Sequence, residues 1–193
     1  MLSINSIRIL VLGLVTTLPC LGIAAPATFK IDPVHSSVGF KIRHFVSKVP
    51  GTFADFSGTI VFDEKSPESS KVDAIIKIAS VNTNNAKRDG HLQAPDFFDV
   101  AKFPEIKFTS TSWKKTGDNL YEVTGNLTMR DVTKPVTLTV TSLGTAPGRN
   151  DTTLAGWEAK AKLDRNAWGI TYGAPAVGSD VEIEINIEAT LQK

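Results

Sequence analysis

The stretch VEIEINIEA, residues 181–189, decides the fold. Val181, Ile183, Ile185, Ile187 and Ala189 fall on one side of an extended chain, while Glu182, Glu184, Asn186 and Glu188 fall on the other. This is the period of two that gives a β-strand one apolar face and one wet face. Moving toward the N-terminus, the same pattern returns. Trp157, Ala159, Ala161 and Leu163 form one set, and Val136, Leu138 and Val140 another, entered through Pro135, which suits a strand start. Tyr121, Val123, Gly125, Leu127 and Met129 form a third, and Ile106 and Phe108 open a fourth, ended by a turn over residues 114–119. Val72, Ala74, Ile76 and Ile78, then Phe56, Gly58, Ile60 and Phe62, then Val38, Phe40 and Ile42 with His44, complete the series.

Eight strands at short spacing, joined by turns such as Lys65-Ser66-Pro67-Glu68 and a loop over residues 144–151, predict an all-β fold. The architecture expected is an antiparallel eight-stranded barrel closed by up-and-down connections. Barrels of about eight strands either fill with side chains or hold one small ligand. The small residues Gly58, Ala74, Gly125, Ala159 and Ala161 on inward faces argue for space inside, with Gly39 expected on the outer face. Lys77, Lys107, Lys160 and Lys162 on the outer faces argue against a lipid-embedded barrel, whose exterior is apolar.

One segment breaks the alternation: SVNTNNAKRDGHLQAPDFFDVAKFPEIKFT, residues 80–109. Asn84 and Asn85 are helix-capping residues, Ala86 to Gln93 gives about two turns, and Pro95 ends them. Gly90 disfavours so short a helix, so packing must hold it. Phe97, Phe98 and Phe103 supply an apolar face that must dock, and the barrel mouth is the place. The segment reads as a short helical lid.

Its residues Ser80, Val81, Thr83, Arg88, Asp89, His91, Leu92, Phe97, Phe98, Lys102, Phe103 and Pro104 resemble the signature of the YceI-like, polyisoprenoid-binding family. Four further blocks match that family: IDPVHSSVGFKIRH from Ile31, GTFADFSGTIVFD from Gly51, VTKPVTLTV from Val132 and LDRNAWGI from Leu163. The resemblance implies a lipocalin-like barrel with a long apolar tunnel. It implies a carrier or storage protein for a polyisoprenoid, an isoprenoid quinone or a fatty-acid-like lipid. The lipid-contacting residues expected are Phe40, Ile42, Phe56, Ile60, Phe62, Ile76, Ile78, Phe98, Phe108, Val123, Leu127, Leu138 and Trp157. His35, His44, Arg88, Asp89 and His91 are expected as the polar residues of mouth and lid.

Arg88 and Asp89 have two readings. Arg88 either grips an anionic or carbonyl headgroup with its planar donor fork, or it braces the lid with Asp89 and His91, with Asp164 or Arg165 as further partners. Bracing is preferred, since charge clusters also occur without any ligand role.

At 193 residues and 41% hydrophobic content, one domain is expected, over residues 28–193. Residues 1–24 read as a signal peptide, with Arg8 before the apolar run Ile9 to Leu18, and small residues allow cleavage as late as residue 27. The run is shorter than the roughly 20 residues of a membrane span. Cys20 lies inside the leader and follows Pro19, a poor context for lipoprotein processing, so the mature chain is expected in the periplasm without cysteine.

Losing the leader removes one of 21 basic residues, Arg8, and none of the 20 acidic ones. The near-neutral balance, without any run of Lys or Arg, argues against nucleic acid and against an anionic membrane surface. His35, His44 and His91 have no metal-ligand spacing, and the familiar hydrolase and nucleotide-binding motifs are absent, so neither a metal, a cofactor nor catalysis is expected. The rival readings are an enzyme acting on such a lipid, with His35, His44 or Asp89 as acid or base, and a solid barrel that binds a partner. A membrane-protein or quinone-handling delivery partner and a homodimer stay open.

Overall fold

The computed structural model describes residues 26–193; the expected signal peptide, with Cys20, lies outside the described residues. Its strands are β1 (Ala27–Ile31), β2 (Ser37–His44), β3 (Ser47–Phe53), β4 (Phe56–Phe62), β5 (Lys71–Lys77) and β6 (Val81–Asn82), followed by helix α1 (Ala86–Gln93). Then come β7 (Glu105–Gly117), β8 (Leu120–Met129), β9 (Val132–Pro147), β10 (Thr153–Asp164) and β11 (Val177–Leu191). Hydrogen bonding runs β1-β4-β5-β7-β8-β9-β10-β11 and returns to β1, so eight strands close a ring in which every ladder is antiparallel.

β2, β3 and β6 extend this ring toward one end. β11 pairs with β1 at Ala189↔Ile31 and with β2 at Asn186↔Ser37, so β1 and β2 are two halves of one bent wall strand. β3 and β4 are likewise two halves, paired with β2 and β1, and β5 and β6 pair with β4 and β3. The breaks have local causes. Asp32 turns back to accept from Val34 N at 2.9 Å, just before Pro33 would have to donate to a ladder. Ile78–Ser80 is a single 3₁₀ turn.

The eight-strand reading therefore describes the wall, but the halves β1 and β3 are absent from it. β1 is only five residues long. β3 contains Pro50 and Gly51, which weaken any strand pattern; Pro50 is tolerated because β6 covers only Thr52 and Phe53, leaving the rest of that side of β3 free. The expected loop over residues 144–151 is also shorter, since β9 runs to Pro147 past a bulge opposite Gly156/Trp157.

One end of the barrel is plugged by aromatic rings. Phe62 lies 5.6–5.8 Å from Trp113, Tyr121 and Trp157, and Phe29 meets Trp157 edge-on at 5.5 Å, spacings at which such rings attract beyond their simple burial. Tyr121 is fully buried there, and loss of water pushes its phenol pKa up. The outer faces carry cross-strand ion pairs such as Lys41–Glu184 at 2.7 Å and Lys162–Asp180 at 2.6 Å. Exposed pairs of this kind contribute roughly 0–1 kcal/mol each, so the interior carries the fold.

Candidate functional site

Above the aromatic plug the inward side chains do not meet. A lower chamber of about 180 Å³ opens over Trp113 and Trp157, and an upper chamber of about 400 Å³ lies beneath the lid. Phe40, Phe53, Ile106, Met129, Leu163 and Ile183 line both, forming the waist between them. One water needs only about 10–15 Å³ of such space, so these are ligand-sized cavities and not packing defects.

Side-chain size explains where the space is. Ala74, Ala159 and Ala161 face the lower chamber and leave it open. Gly58 and Gly125 do not contribute. A methyl on Gly125 would lie 2.4 Å from the Phe108 ring, and one on Gly58 would lie 2.5 Å from Asp73 O and 3.0 Å from Ile31 Cδ1, so neighbouring atoms already occupy those positions. Gly51 does the same for Phe40, whose ring lies 2.2 Å from where a Cβ would stand. Gly51 and Gly125 thus seat aromatic rings in the wall.

The lid is built from α1 and the loop after it. Asn85 caps α1 by accepting from Arg88 N at 3.0 Å, while Asn84 takes the left-handed conformation (φ 58°) that delivers the chain to the cap. Phe98 N donates to Leu92 O at 3.1 Å and Val100 N to Gln93 O at 2.9 Å, folding the phenylalanine loop onto the helix. Leu92, Phe97 and Phe98 thereby roof the upper chamber.

Arg88 and Asp89 meet at Thr83. Arg88 Nε donates to Thr83 Oγ1 at 2.7 Å and Nη2 to Thr83 O at 2.7 Å. Asp89 Oδ1 accepts from Thr83 Oγ1 at 2.5 Å and Thr83 N at 2.9 Å. Thr83, buried between them, is the hub. Asp164 and Arg165 take no part: Asp164 caps its own 3₁₀ turn by accepting from Asn166 N. His91 faces elsewhere, 3.0 Å from Asp96 and edge-on to Phe97 and Tyr172 at 5.0 Å, so Asp89 and His91 do not form a dyad.

The opposite wall of the upper chamber comes from the segment between β10 and β11. Arg165, only 5% exposed, donates to Gly178 O, Ile170 O and Val177 O at 2.8, 2.9 and 3.2 Å. Trp168 Nε1 donates to Leu127 O at 3.2 Å, and Ile170 and Tyr172 complete the rim. Burial holds the Arg165 guanidinium below its ordinary pKa, although an arginine stays charged nonetheless.

Phe56, Ile60, Ile76, Phe108, Val123, Leu127, Leu138 and Trp157 line the lower chamber, Phe40 lines both, and Ile42 and Phe98 line the upper one. His44, Arg88 and His91 also face the upper chamber. Four expected positions fall elsewhere. Phe62 sits in the aromatic plug, because β4 runs past the chamber floor before it ends. Ile78 is fully buried but faces neither chamber, because the strand has already turned into the 3₁₀ segment. Asp89 is engaged with Thr83. His35 is on the outer surface, 63% exposed, with Nδ1 2.8 Å from Asp32 Oδ2 and 3.6 Å from Glu188 Oε1. It lies just before the eight-residue strand β2, whose last residue His44 reaches the rim, so the two histidines belong to opposite ends of that strand. These three outer groups lie within 4.8 Å of one another and read as an exposed ion-pair cluster.

Arg165, Trp168, Ile170 and Tyr172 line the upper chamber at positions that the alternation of the sequence does not reveal, since they follow the end of β10 and precede β11. The signals present are the block LDRNAWGI from Leu163, which resembles the family, and within it the apolar pair Trp168 and Ile170 beside Arg165.

A family model described as a YceI-like domain matches residues 29–189. Protein YceI of Salmonella arizonae is 45% identical over 175 residues, covering 89% of this chain and 91% of that protein. Among solved structures, a Campylobacter jejuni YCEI protein superposes with a TM-score of 0.71 at 36% identity, over 84% of this chain and 96% of its own. A polyisoprenoid binding domain from Saccharophagus degradans implicated in plant cell wall breakdown superposes with a TM-score of 0.65 at 15% identity, over 85% and 98%. That last likeness is one of fold.

Proposed function

The chain belongs to the YceI-like domain family, and from that premise together with the two-chambered cavity we propose that it holds a long-chain amphiphilic lipid, a polyisoprenoid, isoprenoid quinone or fatty-acid-like molecule, as carrier or store and without converting it. The observation that carries this reading is the lower chamber. Among the described residues no charged side chain lines it, and apart from Ser57 its walls are aliphatic and aromatic from the waist to the tryptophan floor. Each CH₂ moved there from water contributes about 0.8 kcal/mol, so a chain of modest length binds usefully through burial alone. The upper chamber then receives the head, under the roof of Leu92, Phe97 and Phe98.

We place the mature protein in the periplasm, on the strength of the leader pattern Arg8, Ile9 to Leu18 and the small residues after it. Mass spectrometry of organic extracts from the purified mature protein tests the carrier reading: a retained, chemically unaltered long-chain lipid is expected. A chemically altered lipid would favour turnover, and a lipid-free protein that also takes up none of these lipids when they are added would favour a solid barrel. Intact mass of the same preparation is expected to place the N-terminus between residues 25 and 28; a diacylated Cys20 would overturn the localisation.

A further inference from the structure

The upper chamber has a charge pattern that the lower one lacks. Arg88, Arg165, His44 and His91 face it, and among the described residues no Asp or Glu does. Arg165 is the unusual member. It is nineteen-twentieths buried, yet no carboxylate lies within ion-pair distance of it among the described residues. Its three hydrogen bonds all go to backbone carbonyls. Carbonyl dipoles solvate a cation but do not neutralise it, and the acid whose charge acts on it, its chain neighbour Asp164, stands beyond ion-pair distance, so the buried charge is only partly compensated. A guanidinium has five N–H donors. With Nε and one hydrogen of each terminal nitrogen engaged, one donor remains on Nη1 and one on Nη2, and guanidinium donors suit oxyanions. Arg88 has its Nε and Nη2 on Thr83, with Nη1 free of hydrogen bonds among the described residues.

We propose that the upper chamber is an anion site built on Arg165, with Arg88 as its second cation, and that it selects amphiphiles whose head is an oxyanion, a carboxylate or a phosphate, over neutral or cationic ones of the same tail. This rests on the carrier reading and narrows it to acidic lipids. The apolar lower chamber takes the tail and so supplies affinity with little regard to the head. The cationic upper chamber supplies the discrimination, because an alcohol brings Arg165 no close counter-charge and an ammonium opposes it.

The test uses delipidated mature protein and quenching of its tryptophan fluorescence by palmitate, hexadecanol and hexadecylamine, three heads on one tail, and by geranylgeranyl phosphate beside geranylgeraniol. Each acid is expected to bind about tenfold to a hundredfold more tightly than its alcohol, the range carried by charge-assisted hydrogen bonds, with the amine weakest. The larger of the two acid-to-alcohol ratios identifies carboxylate or phosphate as the head. Equal affinity across the heads, with binding still tight, overturns the anion site and leaves the carrier reading intact; no binding of any ligand overturns both. Arg165→Gln and Arg165→Lys both disturb the three-carbonyl clamp, but only the lysine keeps the charge. The preference for acids is expected to survive in Arg165→Lys and to vanish in Arg165→Gln. Should the glutamine variant fail to fold, Arg88→Gln is expected to reduce the same ratio in the intact fold, and an unchanged ratio there overturns the proposal.

Discussion

Filling the lower chamber from its wall separates a ligand tunnel from a solid core. Ala159 faces that chamber from the middle of β10, with Val140 and Ile185 as its lateral neighbours and Trp157 two residues below on the same face. Ala159→Leu adds three carbons to a chamber of about 180 Å³. If a lipid tail occupies this space, the leucine displaces about three methylenes' worth of it. At about 0.8 kcal/mol per CH₂ the loss is about 2.4 kcal/mol, roughly a fiftyfold rise in Kd. Only tails long enough to pass the waist should show it, so a 20-carbon chain loses affinity while a short chain that stays in the upper chamber does not. Without lipid the variant should be as stable as the parent or up to about 1 kcal/mol more so, because the added methyls gain contacts in empty space. Trp113 and Trp157 on the chamber floor report binding by fluorescence, and urea denaturation reports stability. Two results would refute the reasoning. A folded variant that binds the long tail as tightly as the parent means that the tail goes elsewhere, and a ligand-free destabilisation of about 1–3 kcal/mol is the cost of overpacking a core that was already full.

Phe40→Asp places a carboxylate at the waist and should abolish lipid retention in a folded protein; a folded variant that still co-purifies with lipid at the parent level would refute the assigned path of the tail. Gly51→Ala sets a methyl 2.2 Å from Phe40 Cζ, so it should cost about 1–3 kcal/mol in urea denaturation, and adding Phe40→Leu should recover part of the loss; full additivity would refute the contact. Thr83→Val removes the hydroxyl between Arg88 and Asp89 and should cost about 1–3 kcal/mol in lipid-free protein, while Arg88→Ala and Asp89→Ala should be less than additive because both act through that residue. The hydrogen bond to Asp32, followed by the charges of Asp32 and Glu188, raises the pKa of His35 and the same bond lowers that of Asp32. The His35 contribution is therefore complete below the unfolded histidine pKa and lost as pH rises through the folded one. That of Asp32 is present above the unfolded carboxylate pKa and lost as pH falls through its folded value. An NMR titration should find His35 above an ordinary histidine and Asp32→Asn should bring it down; no change on that substitution would refute the pairing.

How much of this could be seen in the chain alone follows from the range of the forces involved. Val181 to Ala189 announce a wall strand because alternation is a property of the extended backbone itself, the same wherever the strand ends up. The remaining wall sets follow by the same rule, and the cap at Asn85 and the stop before Pro95 are equally local, so the barrel and its lid were legible from residue order. The resemblance of residues 80–109 to a family added the expectation of a tunnel. The halves β1 and β3 were not legible. Their pairing depends on partners across the ring, and Pro50 with Gly51 erases the local pattern.

The cavity and its chemistry belong to the tertiary structure. Ala159 and Gly125 look alike in sequence, both small and inward, yet one opens the chamber and the other is covered by Phe108, a choice made by the ring of a neighbouring strand. His35 and His44 sit in one short stretch, but the bend at Asp32 and the length of β2 set them at opposite ends of the barrel. Arg165 reads as an ordinary turn residue until barrel closure packs that turn against Leu127 and Gly178, takes away its water and gives it carbonyls, with no carboxylate at ion-pair distance among the described residues. Strand and face are determined residue by residue along the chain. Which groups share a chamber, and which charge is left without a close partner there, is determined by register and closure, because only they bring residues far apart in sequence within hydrogen-bonding distance.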